Sequence, residues 1–272
     1  MFNYTGKTAL ITGASSGIGE SFARELAARG MNVVLVARSE AKLRLLAQEL
    51  SQRHHIRAEA IAVDLSQEGA THSVQQAVQQ YGLEVDLLVN NAASLIFAPF
   101  EQSDSLRNHQ AIMLNVAAMV ELSHAFIPAM LMRGSGAILN VGSMGSFFPI
   151  PYQTVYAATK AFVLSFSEGL WAEYRDRGIQ IMALCPGPTR TPSLPTSLVP
   201  LEQAAPSEQV VTAGLRALEQ GQISFMPGFV NKLQAQILPK VLPCSLMARL
   251  VGRATRLGLK ENLSPIGEQI DA

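Results

Sequence analysis

The chain has 272 residues, 48% of them hydrophobic and 15% charged, with 21 Lys and Arg against 21 Asp and Glu. That length and composition support a folded body with an extensive interior and exclude a disordered chain. A formal net charge of zero gives no general attraction to nucleic acid, so that partner is not expected.

Cys185 and Cys244 are the two cysteines, and neither has a second thiol or a histidine at ligand spacing. No metal site is expected, and a reduced, cytoplasmic setting is the simplest reading. His54 and His55 fall in a polar connection, while His72, His109 and His124 stand singly in helical segments, as surface or satisfied histidines do. The opening MFNYTGKTALITGAS lacks the basic start and long apolar core of a secretory leader. The longest uncharged run, 134–159, has membrane length but carries Gly134, Gly136, Gly142, Gly145, Pro149 and Pro151. It reads as loops and buried elements, and no transmembrane segment is expected.

Along the chain, short apolar runs alternate with periodic segments. TALIT (8–12) precedes a helix from about Ile18 to Arg29, VVLVA (33–37) precedes SEAKLRLLAQEL, and AEAIAV (58–63) precedes a helix ending near Tyr81. VDLLV (85–89) is followed by a long helix from near Ser105, GAILNV (136–141) by a helix from about Tyr152, and IQIMAL (179–184) closes the series. Strands apolar on both faces and separated by helices predict a parallel sheet covered on both sides, a doubly wound α/β domain. No boundary divides the chain, so 1–272 reads as a single domain. In 192–206, Pro192, Pro195, Pro200 and Pro206 argue against regular structure, and this stretch is a candidate substrate lid.

The turn TGASSGIGE joins the first strand to the first helix through Gly13, Gly17 and Gly19. A helix N-terminus presents unpaired N–H groups and partial positive charge, and glycine lets backbone approach a pyrophosphate. The spacing is G-x-x-x-G-x-G rather than the common G-x-G-x-x-G, and a tight turn with no ligand has the same appearance. The second strand ends at Ala37 and Arg38, where an acid would accept from a ribose 2′-hydroxyl. A guanidinium there could instead clamp a 2′-phosphate, which favours NADP(H) over NAD(H), unless Arg38 is an ordinary solvated arginine. Asp64, closing the third strand, could accept from an adenine amino group or cap the next turn. Asn90 and Asn91 close the fourth strand, where paired asparagines can also be simple turn formers.

Tyr156 and Lys160 stand four apart in a helical segment and leave one face, a spacing that also suits a half-buried ring beside a surface ammonium. Taken together, TGASSGIG (12–19), NNAA (90–93), Ser143, YAATK (156–160) and PGPTRT (186–191) resemble the short-chain dehydrogenase/reductase family over about residues 5–191. The resemblance implies a Rossmann-type sheet, a nicotinamide cofactor and a carbonyl or alcohol substrate. It implies that Tyr156 exchanges a proton with the substrate oxygen, and that Lys160 lowers the tyrosine pKa and binds the nicotinamide ribose. Ser143 would hold the carbonyl, and Asn115 would support a water-linked proton path. Cofactor contacts are implied for Gly13, Ser15, Ser16, Gly17, Ile18, Gly19, Arg38, Asp64, Leu65, Asn91, Ala92, Tyr156, Lys160, Pro186, Gly187, Thr189 and Thr191. Dimers or tetramers are expected from the resemblance alone. Two departures stand out. Ala93 replaces the family's glycine, and Ser15 and Ser16 occupy the place of the basic residue that many NADP-preferring members carry, so NADP preference rests on Arg38.

Residues 228–272 extend beyond the shared body as a C-terminal helical extension. Between 232 and 260 there are six basic residues and no acid: Lys232, Lys240, Arg249, Arg253, Arg256 and Lys260. On a helix from about Ser245 the last four form one stripe, with Leu246, Met247, Leu250, Val251 and Leu257 supplying apolar surface elsewhere. Such a helix could cover a substrate pocket, rest on an anionic membrane as a peripheral contact, or pack with its basic face solvated. With Leu95, Met144, Phe147, Phe148 and Ile150 it points to an apolar pocket. The expected activity is NADP(H)-dependent interconversion of an apolar ketone or aldehyde and its alcohol. An NAD-dependent alcohol or hydroxysteroid dehydrogenase and a non-catalytic dinucleotide sensor are the alternatives. Binding a dinucleotide does not require a proton-transfer tyrosine, which weighs against the sensor.

Overall fold

A computed structural model describes residues 3–194 and 199–267, with side chains described at all of these except 238, 240 and 257–267. The first half runs β1 (Thr8–Thr12), α1 (Gly17–Ala28), β2 (Asn32–Ala37), α2 (Glu40–His54), β3 (Ala58–Ala62), α3 (Ala70–Gln80) and β4 (Leu87–Asn90). There follow α4 (Ser105–Ile112), a π turn (Met113–Ala117), α5 (Ala118–Arg133), β5 (Gly136–Val141), α6 (Thr154–Tyr174) and β6 (Ile179–Leu184). The chain continues through β7 (Thr189–Arg190), β8 (Ala205–Pro206), α7 (Ser207–Glu219) and β9 (Ser224–Phe225). It ends in α8 (Phe229–Lys232), a second π turn (Leu233–Ile237), α9 (Leu238–Val241) and α10 (Cys244–Gly267).

Seven strands form one parallel sheet in the order β3-β2-β1-β4-β5-β6-β9. Successive residues of a strand face opposite sides, and both sides here are covered. Ala9, Ile11, Val33, Leu35 and Leu139 pack with Phe22 and Leu26 of α1, Leu43 and Leu50 of α2, and Leu215 of α7. On the other side Leu10, Val34, Leu88, Ile138 and Ile181 meet Val74 of α3 and Leu122, Phe126 and Met130 of α5. The apolar runs are therefore continuous because neither face meets water.

β1 leads by α1 to β2 on one side, while β4 lies on its other side. The sheet reverses its winding between β1 and β4, and the crevice beyond their carboxyl ends is where such sheets bind ligands. Two buried asparagines hold the next elements in place. Asn90 and Asn140 are register partners on β4 and β5. Asn90 Nδ2 donates to Asn140 Oδ1 at 2.9 Å, and Asn140 Nδ2 donates to Ser167 Oγ of α6 at 3.0 Å. Buried amides need partners, so this chain of bonds sets α6 against the sheet.

The sequence reading is corrected in three places. The sheet has a seventh strand, β9, paired through Ala183↔Ser224 and Leu184↔Phe225; two residues after Gly221 carry too little pattern to announce a strand. The proline-rich stretch is not wholly irregular, because Thr189 and Arg190 pair in parallel with Ala205 and Pro206. A proline on an edge can accept without donating, and residues 195–198 of the candidate lid lie outside the described residues. The long helix from Ser105 is interrupted by the π turn around Asn115. Among the described residues, Ser105–Arg133 is the one helix long and apolar enough to cross a membrane, but Leu122, Phe126 and Met130 of it pack on the sheet.

Replacing Phe22, fully buried between α1 and the sheet, by Ala is expected to cost about 3–5 kcal/mol. Phe100→Ala, at a ring 66% exposed, should change stability by less than about 0.5 kcal/mol. Urea unfolding of the two variants beside wild type measures the contrast.

Candidate active site

The glycine turn is shaped by contacts that only glycine permits. A Cβ at Gly19 would sit 2.3 Å from Gly13 O and 2.5 Å from Asn91 Nδ2. One at Gly13, where φ is +67°, would meet Asn91 Nδ2 at 2.7 Å. Gly17, at φ +60°, would strike Thr191 Cγ2 at 2.9 Å. The turn is thus pressed between the end of β4 and the segment after β6. Thr12 fastens it: its Oγ1 accepts from Asn91 N at 2.9 Å and Ala92 N at 3.0 Å, and Asn91 Nδ2 donates to Thr12 O at 2.8 Å.

A cleft of ≈ 1700 Å³ opens above this turn, large enough for a dinucleotide together with a substrate. It is lined by Gly13, Ser15, Ser16, Gly17, Ile18, Arg38, Asp64, Leu65, Asn91, Ala92, Pro186, Gly187, Thr189 and Thr191. Arg38 is exposed at one end with Lys42 of α2 beside the same rim. Asp64 Oδ1 accepts from Ser66 N at 3.0 Å and Ser66 Oγ at 2.8 Å. Those bonds and the nearby Arg38 charge hold its carboxyl below the usual value against the opposing effect of burial. Asp64 therefore forms a local turn and faces the cleft as well. The cradle fits a dinucleotide: its floor is backbone that side chains would fill, and its rim is cationic.

At the far end of the cleft stand Ser143, Tyr156 and Lys160. Tyr156 and Lys160 come from consecutive turns of α6, and Lys160 Nζ lies 5.7 Å from the centre of the tyrosine ring. Lys160 is 3% exposed and donates to Val141 O at 2.7 Å. Burial pulls its ammonium down to about 8. Burial pushes the Tyr156 phenol above its ordinary value, and a hydrogen bond with Ser143 opposes that rise. Ser143 Oγ accepts from Gly145 N at 3.1 Å, and Ser146 Oγ accepts from Ser143 N at 3.2 Å. With a lone pair committed to Gly145, the Ser143 hydroxyl keeps its proton to donate, to the Tyr156 oxygen or to a group in the cleft beside it.

Asn115 sits below these residues. Its Oδ1 accepts from Ser94 N at 2.8 Å, and its Nδ2 donates to Ser94 O and Thr159 Oγ1, both at 3.0 Å. The π turn gives the side chain this reach, tying the loop after β4 to α6. A small cavity of ≈ 10 Å³ adjoins Asn90, Asn115 and Lys160, about the least that holds a single water.

Of the expected site residues, Gly19 and Asn115 do not line the cleft. Gly19 serves by letting α1 pass close to the turn, and Asn115 works from beneath. Leu95, Met144, Phe148 and Ile150 line the cleft as expected, whereas Phe147 packs inward with Leu164, Cys185 and Met226. On α10, Leu250 and Val251 face the cleft and Met247 is buried at its edge; the side chains of Lys240, Leu257 and Lys260 lie outside those described. Sequence reasoning missed Lys42, Thr12 as a clamp, and Cys185. The Cys185 sulfur would meet a Cβ on Gly142 at 2.9 Å, and burial pushes its thiol up to about 11. Thr12 as the last residue of β1 before Gly13, and Lys42 in the first turn of α2 close after Arg38, could have been signalled by position; nothing near Cys185 in the sequence did. Among the described residues no cluster of His, Cys, Asp and Glu could hold a metal ion.

The family model described as short chain dehydrogenase matches residues 7–198. The chain is 34% identical over 241 residues to the very-long-chain 3-oxoacyl-CoA reductase-A of Danio rerio, covering 85% of this chain and 75% of that protein. A short-chain dehydrogenase from Sphingobium yanoikuyae, solved in complex with NADPH, superposes with a TM-score of 0.78 at 32% identity, covering 86% and 93% of the two chains. A solved 7β-hydroxysteroid dehydrogenase superposes with a TM-score of 0.84 at 27% identity, covering 91% and 97%. With this fold, this cleft and these matches, the chain belongs to the short-chain dehydrogenase family and is an oxidoreductase that interconverts carbonyl and alcohol groups with a nicotinamide dinucleotide.

Proposed function

We propose that this protein is an NADPH-dependent reductase of an apolar ketone, with Tyr156 as proton donor. The observation that carries the reading is the convergence of Ser143, Tyr156 and Lys160 at the end of a cleft whose other end is a glycine cradle with a cationic rim. Arg38 and Lys42 at that rim support NADPH, since a 2′-phosphate needs cations where a 2′-hydroxyl needs an acid. Leu95, Ile96, Phe97, Met144, Phe148 and Ile150 support an apolar substrate. The named activities of the relatives, on a long-chain 3-oxoacyl thioester and on a steroid, agree with a large apolar carbonyl compound.

A reduced dinucleotide held by the glycine cradle and Arg38 would supply hydride for the carbonyl carbon. The chain's residues manage the charge that appears on oxygen. Ser143 donates to the substrate oxygen, and preorganised donors of this kind stabilise the developing alkoxide. Tyr156 Oη delivers the proton. Burial holds the phenol protonated near neutrality, which suits an acid in the reducing direction. Lys160, held by Val141 O, stabilises the phenolate left behind, and the small cavity beside Asn115 supports a water-linked route by which the tyrosine is reprotonated.

Titration with NADPH and NADH, followed by a panel of bulky ketones and 3-oxoacyl thioesters monitored by loss of reduced nicotinamide absorbance, tests the reading. Tight NADPH binding with turnover is expected; absence of dinucleotide binding would overturn it. Tyr156→Phe should lower kcat by about a hundredfold to ten-thousandfold while NADPH affinity holds. Arg38→Asp should weaken NADPH binding by roughly tenfold to a hundredfold and leave NADH binding equal or better, read from the two dissociation constants.

Lys160 makes a separate expectation about stability. Its folded value near 8 lies below the ordinary 10.5, so between those values the unfolded chain binds more protons and this group makes stability rise with pH. Lys160→Met keeps the buried stem and removes the amine. The variant, without the dinucleotide, should gain about 1–3 kcal/mol over wild type below that window, and the advantage should shrink as pH rises through it. Urea unfolding below and above the window measures both, and an advantage independent of pH would contradict the assignment.

A further inference from the structure

The segment after Gly228 carries an exposed apolar stripe. On its inner side Asn231 lies against Gly187, 2.5 Å from where a Cβ would stand, Gln234 lines the cleft, and Ala235 is buried. Its outer residues are Phe229 (82% exposed), Val230 (62%), Leu233 (40%), Ile237 (51%) and Val241 (71%). Phe229, Leu233, Ile237 and Val241 recur every four residues, as positions on one helical face do. A surface helix of a water-soluble protein turns its apolar stripe inward; here Phe229, Val230, Leu233, Ile237 and Val241 face out.

The neighbouring α10 adds charge. Arg249, Arg253 and Arg256 are exposed, as is Lys232, and among the described residues no carboxylate pairs with any of them. Six of the chain's 21 basic residues fall within 232–260 without one acid, so the rest of the chain is net acidic and the positive field is local. Gln234, Leu242, Met247 and Leu250, from these same two segments, line the cleft. The segments that carry the apolar stripe and the cations therefore border the cleft.

We propose that this C-terminal face docks on the surface of an anionic phospholipid bilayer, with the Phe229–Val241 stripe among the acyl-chain boundary and the arginines on lipid phosphates. An apolar stripe with adjacent Lys and Arg is the chemistry of interfacial helices. A second copy of the chain fits this face less well, because a twofold contact sets the same patch against itself and would bring like charges together. The docking would let a lipid-borne carbonyl compound pass from the bilayer into the cleft. The proposal stands independently of the reductase reading.

Flotation of the full chain with vesicles of phosphatidylcholine alone and of phosphatidylcholine with phosphatidylglycerol tests it. Binding is expected to the anionic vesicles and to weaken with salt. Arg249→Gln/Arg253→Gln/Arg256→Gln should lose affinity on the order of a hundredfold, and Phe229→Ser/Val241→Ser should lose most binding at unchanged charge. NADPH affinity, unchanged in both variants, shows that they fold. Failure of wild type to float with anionic vesicles would overturn the proposal. So would sedimentation showing a dimer that Phe229→Ser/Val241→Ser dissolves, which would assign the face to a second copy.

Discussion

The hydrogen bonds of Thr12 fasten the ends of β1 and β4 together, and the dinucleotide end of the protein depends on them. One hydroxyl accepts from two successive backbone N–H groups, Asn91 and Ala92, while the Asn91 amide returns a bond to Thr12 O. That clamp brings the Asn91 side chain to within a Cβ's reach of both Gly13 and Gly19. A methyl group at either glycine would force the clamp open, so the turn's glycines and the strand-end asparagine are one steric unit. The backbone left bare by that unit is what a pyrophosphate needs.

At the other end, a second set of polar contacts places the reactive side chains. Asn90, Asn140 and Ser167 link β4, β5 and α6 through the interior, and Asn115 links the loop after β4 to Thr159 of the same helix. Tyr156 and Lys160 are thereby held from below by groups that never reach the cleft. Lys160 is a buried cation with one described hydrogen bond, to a carbonyl. Placing a charge there opposes folding, and the proton transfer proposed for Tyr156 is a reason for the chain to keep it.

The match to the family model ends at residue 198, whereas the cleft does not. α7 completes the packing of one sheet face, and the segments from Gly228 onward close over Gly187 and line the substrate end of the cleft. The cradle and the proposed proton donor thus sit on the part the family model matches, and the substrate end of the cleft is completed by the extension. The exposed apolar stripe and the arginines of α10, which no carboxylate pairs among the described residues, belong wholly to that second part.

Sequence alone determined the six long strands and the winding of the sheet, because strands buried on both faces leave uninterrupted apolar runs and the intervening helices leave a longer period. It also singled out the glycine turn, Arg38 and the Tyr156–Lys160 pair by position, and joined Ser143 to them through the family resemblance of the motifs; the winding carries all of them to one edge. Tertiary structure alone decided the rest. β9 exists only because β6 offers an edge to two residues, and the π turn at Asn115 depends on Ser94 and Thr159, which are remote in sequence. The depressed ammonium of Lys160 and the raised phenol of Tyr156 arise from burial, which no local spacing encodes. Whether an apolar residue of the extension faces the cleft or the solvent was likewise settled by how α8 rests on Gly187, a contact between residues more than forty positions apart.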